Sequence, residues 1–277
     1  MNAAVAAQGR PLPWKGMSHV DLHLHLLPGV DDGPRDEAAS LVHAERLARA
    51  GVHEATVTPH IGHPWFPIEV ATIPERTRAL QVALDAAGID LRLHPGGEIY
   101  PAAATTLGAD ELDVIAHGPA GARWVLLEVP FAGIDEHFLA ACAHVRDQGF
   151  GLLIGHPERA MEFLRRGHRM LRHELAAGAL LQVNVCSLLG RQGPEARAGA
   201  VKLVRDGHAY VLASDGHGGN RAHTLAAGAP AARAAGVSHL RSRQLTEANP
   251  RFLLESGIPD DYGSESSVSR TRSHSAT

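Results

Sequence analysis

The stretch HVDLHLHLLPGVDDG, residues 19–33, sets His23 and His25 two positions apart and follows a Pro-Gly turn with Asp31 and Asp32. On a strand, side chains at i and i+2 share a face, so the two imidazoles would project together. Imidazoles side by side invite a metal ion or a proton between them. Residues of the same chemical kind recur downstream: His60 in TVTPH, Glu98 in GGEIY, Glu128 in LLEVP, His156 in GHPER, and Asp215 with His217 in ASDGH. Mixed nitrogen and oxygen donors without thiolate suit catalytic Mn²⁺, Fe²⁺ or Zn²⁺ with open positions better than a structural zinc knot. His23, His25, Glu98 and Asp215 would give a first divalent ion four ligands. Asp32, His60 and His217 could hold a second, and Glu128 with His156 another, with Glu98 as a bridge.

Three divalent ions bring +6, and Asp32, Glu98, Glu128 and Asp215 bring −4, leaving +2, or +1 with a bridging hydroxide. Such a centre attracts a phosphate dianion, acidifies bound water and clamps both oxygens of an in-line displacement. Phosphoester hydrolysis is the reaction this suggests. Arg159 in GHPER and Arg221 in SDGHGGNR stand where a guanidinium fork could grip phosphate, or could simply be solvated loop residues. Asn184, closing LLQVNV, is either an amide supporting the site or a strand cap. Trp65 and Phe66, in a Pro-flanked loop after the second strand candidate, are read as an aromatic rim of the substrate cleft.

These residues need a scaffold that gathers them. Apolar runs at 19–27, 54–60, 91–99, 124–130, 151–157, 180–185 and 209–217 predict seven strands, alternating with amphipathic helices at 36–51, 73–88, 135–149, 165–178 and 194–207. The first helix has an Asp36 cap and a terminating Gly51. Alternating βα units predict a parallel sheet, and polar residues at successive carboxyl ends converge on one face of an α/β barrel. Six of the seven strand candidates end that way. Residues 1–16 read as a flexible arm, 17–258 as one domain, and 259–277 as a disordered Ser-rich tail.

Composition narrows the function. The chain has 277 residues, 44% of them hydrophobic, with 19 histidines, two cysteines and a formal charge of −4. That balance gives no electrostatic reason to expect nucleic acid or an anionic membrane as partner. Two cysteines make no disulfide framework, no apolar run approaches a membrane span, and the N-terminus shows neither a charged leader nor a full apolar h-region. A cytoplasmic protein is expected. Neither Cys142 nor Cys186 has the arginine that a C-x5-R phosphatase loop requires.

The ordered set DLHLHLLPGVDDG, VTPH, GGEIY, LLEVP, GHPER, QVN and ASDGH resembles the polymerase and histidinol phosphatase (PHP) family, over about residues 18–258. Within it the chain is most similar to bacterial manganese-dependent tyrosine phosphatases of capsule and exopolysaccharide systems. The resemblance implies an α/β fold, a distorted (β/α)7 TIM-like barrel in a single domain, with a trinuclear centre of divalent ions: manganese first, iron or zinc as alternatives. His23, His25, Glu98 and Asp215 match the first ion's ligands, Glu98, Glu128 and His156 the second's, and Asp32, His60 and His217 the third's. Arg159 and Arg221 match the phosphate-binding positions. Departures at Ala160 and in GHGGNRAHT touch the rim, and bear on substrate choice. The implied activity is hydrolysis of protein phosphotyrosine through a metal-bound hydroxide, with a bacterial tyrosine autokinase as partner.

Two other functions fit the same residues. One is a small-molecule phosphatase such as a histidinol-phosphatase, or another PHP phosphoesterase. The other is a non-catalytic module that binds phosphopeptides.

Overall fold

The computed structural model describes residues 18–221 and 225–258; the expected N-terminal arm and Ser-rich tail lie outside the described residues. The strands are β1 (His19–Leu24), β2 (Val52–Val57), β3 (His60–Ile61), β4 (Arg92–Pro95), β5 (Glu98–Ile99), β6 (Trp124–Glu128), β7 (Gly151–Gly155), β8 (Leu180–Asn184) and β9 (Ala209–Ala213). All pairings between them are parallel, in the orders β1-β2-β4 and β3-β5-β6-β7-β8-β9.

Two of the seven expected strands are interrupted. The run 54–60 divides into β2 and β3 because Pro59 has no N–H for the ladder, and the Thr58 N–H turns instead to the Leu24 carbonyl at 2.8 Å. The run 91–99 divides into β4 and β5 at Gly96-Gly97. A Cβ on Gly96 would meet His117 Nε2 at 2.6 Å, and one on Gly97 would meet Ile61 Cγ1 at 2.6 Å. Only glycine lets the chain jog there. The jogs turn the strand ends inward, so that β3 and β5 pair His60 with Glu98. First and last strands meet through His25 N–H to Gly216 O at 3.0 Å and Asp215 N–H to His23 O at 2.9 Å.

The expected helices are present as α1 (Glu37–Arg49), α2 (Ile73–Ala86), α3 (Glu136–Asp147), α4 (His168–Ala176) and α5 (Pro194–Arg205). The Asp36 carboxylate caps α1 by accepting the Ala39 N–H at 2.9 Å, and Asp135 caps α3 through Phe138 in the same way. Sequence periodicity did not reveal the helical run of Gly228–Ala234, His239–Arg243 and Asn249–Ser256. No described helix is long and apolar enough to cross a membrane.

Period-two alternation divides the interior. Val125, Leu127, Leu152, Ile154, Leu181 and Val183 face the helices in the main apolar layer. The alternate positions Trp124, Leu126, Leu153 and Leu180 join Leu253 and Ile258 in a second cluster. That cluster is a floor: Trp124 donates its Nε1–H to the Leu253 carbonyl at 2.9 Å, and two residues beyond Leu126 the same face of β6 carries Glu128. Apolar packing at the amino ends thus supports polar residues at the carboxyl ends.

Two histidines without a predicted task have structural ones. His94 bonds Glu54 at 2.8 Å, and His117 lies buried against Trp124. Burial, with His94 and Arg123 nearby, pushes the His117 imidazole down to about 3. The unfolded chain protonates His117 near 6.5, whereas the folded one resists, so the unfolded state binds more protons between those values. Stability from this residue is therefore complete above that window and lost as pH falls through it. Urea unfolding at about pH 7 and pH 4.5 should show His117→Phe losing about 2 kcal/mol less than the wild type over that range; equal losses would exclude the effect.

Candidate metal centre

β1 and the residue that follows it bring His23 and His25 side by side, fully buried, with their Nε2 atoms 3.3 Å apart. Each Nε2 is 3.3 Å from Glu98 Oε2 and 3.6 Å from Asp215 Oδ1. Donors about 2.1 Å from one tetrahedral ion stand about 3.4 Å from each other. These four atoms therefore outline a cation-sized coordination shell.

The outer bonds decide which nitrogen faces inward. His25 Nδ1–H donates to Asp31 Oδ2 at 2.7 Å, and Asp31 is itself fixed by the Gly33 N–H at 2.9 Å. His23 Nδ1 meets Gln182 Oε1 at 3.1 Å. With both Nδ1 atoms donating, two Nε2 lone pairs point at each other in a dry interior, an arrangement that only a positive charge relieves.

The other expected ligands gather around this core. His156 Nε2 lies 2.9 Å from Glu98 Oε1, and His217 Nε2 lies 3.1 Å from Asp32 Oδ1, with His60 Nε2 3.5 Å from the same oxygen. All nine predicted ligand positions come together. The partition differs from the expected one at three places: His25 also groups with Asp32, His60 and His217, His60 also groups with Glu98 and Glu128, and His23 also groups with Glu98 and His156, each set within 4.8 Å. Glu98 Oε2, His60 Nδ1, Glu128 Oε2 and His156 Nδ1 are buried with no hydrogen-bond partner among the described residues. A buried polar atom left so is costly, and these four belong to ligand-type side chains of one cluster. The donor set fits divalent cations.

Backbone strain marks the same residues. His156 (φ 32°) and Asp215 (φ 49°) occupy the left-handed region, which non-glycine residues enter only where the surroundings enforce it.

Electrostatics agree. Burial pushes the Glu128 carboxyl up to about 9, helped by the charges of Glu98 and Asp215, so this end of the cluster holds more negative charge than it can stabilise alone. Burial resists charging His25 and His23. Asp31 outweighs that resistance at His25, and Glu98 and Asp215 outweigh it at His23, so both imidazoles are drawn up toward the cationic state. Burial pushes His156 and His217 down, leaving neutral rings.

The two arginines occupy equivalent places. Arg159 Nη1 donates to Asp215 Oδ2 at 2.9 Å, and Arg221 Nη1 donates to Asp32 Oδ2, while the Oδ1 atoms of both carboxylates face the imidazoles. Both border a cavity of about 580 Å³. Trp65, 80% exposed, stands at its rim, and Phe66 stacks on His60 with centroids 5.6 Å apart. Both line the cavity.

Sequence reasoning missed several contributors. Asp31 was visible as the first half of Asp-Asp, but only the bond to His25 gives it a task. Gln182 stood in the QVN motif without an assigned task, and Phe131 carried no motif signal; the Arg159 guanidinium lies 4.4 Å above the Phe131 ring. Asn184 was left open between two roles, and its Nδ2–H bond to Asp215 Oδ2 at 2.7 Å selects the supporting amide.

Ions entering this cluster must displace the protons drawn to His23 and His25. The Mn²⁺ affinity should therefore rise between about pH 6 and pH 8, roughly tenfold per pH unit for each proton released. Calorimetry in buffers of different ionisation enthalpy counts those protons, and an affinity indifferent to pH would contradict the electrostatics described.

Residues 19–255 match the family model described as Capsular polysaccharide synthesis, CpsB/CapC. The chain is 30% identical over 200 residues to tyrosine-protein phosphatase YwqE of Bacillus subtilis (strain 168), covering 72% of this chain and 77% of that one. It is 26% identical over 198 residues to the putative tyrosine-protein phosphatase CapC of Staphylococcus aureus, covering 72% and 76%. Among solved structures, a chain from the work on YwqE from Bacillus subtilis and CpsB from Streptococcus pneumoniae, described as unique metal-dependent tyrosine phosphatases, aligns with TM-score 0.71 and 26% identity. That match covers 85% of this chain and 94% of the other. The fold, the clustered ligand residues and these similarities agree: the chain belongs to the CpsB/CapC family of capsular polysaccharide synthesis.

Proposed function

We propose that this protein is a metal-dependent phosphatase that hydrolyses phosphotyrosine in proteins, with a bacterial tyrosine autokinase of polysaccharide production as substrate. The observation that carries it is the pairing of each arginine with the outward oxygen of a ligand-type carboxylate at the cavity wall. The solved relatives' description as metal-dependent tyrosine phosphatases supports it.

His23, His25, Glu98 and Asp215 would hold one ion, Glu98, Glu128 and His156 a second, and Asp32, His60 and His217 a third, manganese being the first candidate. Divalent ions bound there would supply Lewis acidity toward phosphate and acidify water. The chain does the rest. Arg159 spends one N–H on a carboxylate, and Arg221 spends one on a carboxylate and another on His217 Nε2 at 3.0 Å; the rest remain for phosphate oxygens, so both guanidinium groups are oriented before substrate arrives. Phe131 holds the Arg159 plane from below. Asp32 and His60, at the mouth, adjoin both the ion cluster and the aromatic side of the cavity. Phe66 and Trp65 form a wall against which a tyrosyl ring can lie, which favours aryl over alkyl phosphates. Two buried free thiols, Cys142 and Cys186, accord with a cytoplasmic site of action.

Manganese-reconstituted protein should show its highest kcat/KM on a phosphotyrosine peptide when compared with histidinol phosphate, a phosphoserine peptide and phosphate diesters, and lose it on chelation. Preference for a small phosphate would move the protein to another substrate class, and binding without turnover would make it a recognition module. Arg221→Ala should lower kcat/KM by about 10² to 10³. Trp65→Ala should raise KM for aryl phosphates more than for alkyl ones; an equal effect on both would remove the rim from substrate selection.

A further inference from the structure

Two amides of β8 connect ligands from opposite ends of the chain. Gln182 and Asn184 are two residues apart, share a face and are fully buried. Gln182 Oε1 lies 3.1 Å from His23 Nδ1 and accepts the backbone N–H of His156 at 3.1 Å. Gln182 Nε2 donates to Asn184 Oδ1 at 2.7 Å, and Asn184 Nδ2 donates to Asp215 Oδ2 at 2.7 Å. Asn184 is fixed from behind, its own N–H bonded to Glu158 Oε1 at 2.9 Å.

The direction of this chain is forced from both ends. A carboxylate oxygen can only accept, so Asn184 must turn its NH₂ toward Asp215 and its carbonyl toward Gln182. A backbone N–H can only donate, so Gln182 must turn its carbonyl toward His156. Both constraints demand the same orientation of Gln182, and His23, facing that carbonyl, must carry its proton on Nδ1.

We propose that Gln182 and Asn184 form a one-way hydrogen-bond relay that fixes the tautomer of His23 and the rotation of Asp215 together, so that both offer lone pairs to one ion. The relay stands on hydrogen-bond geometry alone, but its purpose rests on the metal-centre reading above. His25 is held by a charged carboxylate, Asp31, whereas His23 is held by a neutral amide. The relay thereby orients a second imidazole without adding negative charge beside a centre that must attract phosphate. Gln182 and Asn184 are positioning residues and touch neither substrate nor ion.

The test begins with ion-free protein carrying ¹⁵N-labelled histidine, at a pH where the His23 ring is neutral. Nitrogen shifts should show a single Nδ1–H tautomer at His23. Gln182→Met should yield a tautomer mixture, while Gln182→Glu, which still accepts from His23, should keep the single form; circular dichroism checks that each variant folds. Calorimetry should then show Mn²⁺ affinity lowered about 10- to 100-fold in Gln182→Met and in Asn184→Leu. Because the two amides act in series, the double variant should lose no more than the weaker-binding single one. An unchanged tautomer in Gln182→Met, or losses that add in the double variant, would overturn the relay. A wild type with the fixed tautomer but no affinity for Mn²⁺ would uphold the relay and overturn the metal centre.

Discussion

Two imidazole lone pairs aimed at each other across 3.3 Å, sealed from water, cannot persist without positive charge between them. Much of the remaining structure serves that constraint. Carboxylates from β5 and from the turn after β9 close the shell, and three further histidines surround it. Burial drives the Glu128 carboxyl upward, and the neighbouring charges of Glu98 and Asp215 that add to the shift are the same charges that would hold several divalent ions close together.

The scaffold meets this demand through parallel strands whose inner faces change character along their length. Trp124, Leu126, Leu153 and Leu180 fill the amino end with apolar volume, and Trp124 pins it to the last helix. At the carboxyl end the same faces carry Glu128, Gln182 and Asn184. Pro59 and the Gly96-Gly97 pair break the second and third expected strands so that His60 and Glu98 reach the centre side by side. Irregularity at these points is what delivers two ligands.

The outer partners give the centre its precision. Asp31, Gln182, Asn184, Arg159 and Arg221 each bond the atom of a ligand residue that does not face inward. For the arginines this serves two ends at once, because a guanidinium tied to a carboxylate still has N–H groups for phosphate.

The nine ligand-type residues were legible in the sequence, because strand alternation and the placement of reactive residues at apolar run ends are local patterns; Arg159 and Arg221 stayed open between two readings until the family resemblance singled them out. The seven-unit βα alternation was legible for the same reason, as was the Asp36 cap. The strand breaks were less so: Pro59 and Gly96-Gly97 are visible as residues, but their consequence depends on Leu24, Ile61 and His117, which approach only in the folded chain. The closing helices after Gly228 escaped because short segments carry little periodicity and are held by packing. Which histidine nitrogen faces inward, which carboxylate oxygen is spare, and how Gln182 joins His23 to Asp215 were decided by the tertiary structure alone. The bonds that tie Gln182 to His156 and to His23 span 26 and 159 residues, and no spacing within the chain records them.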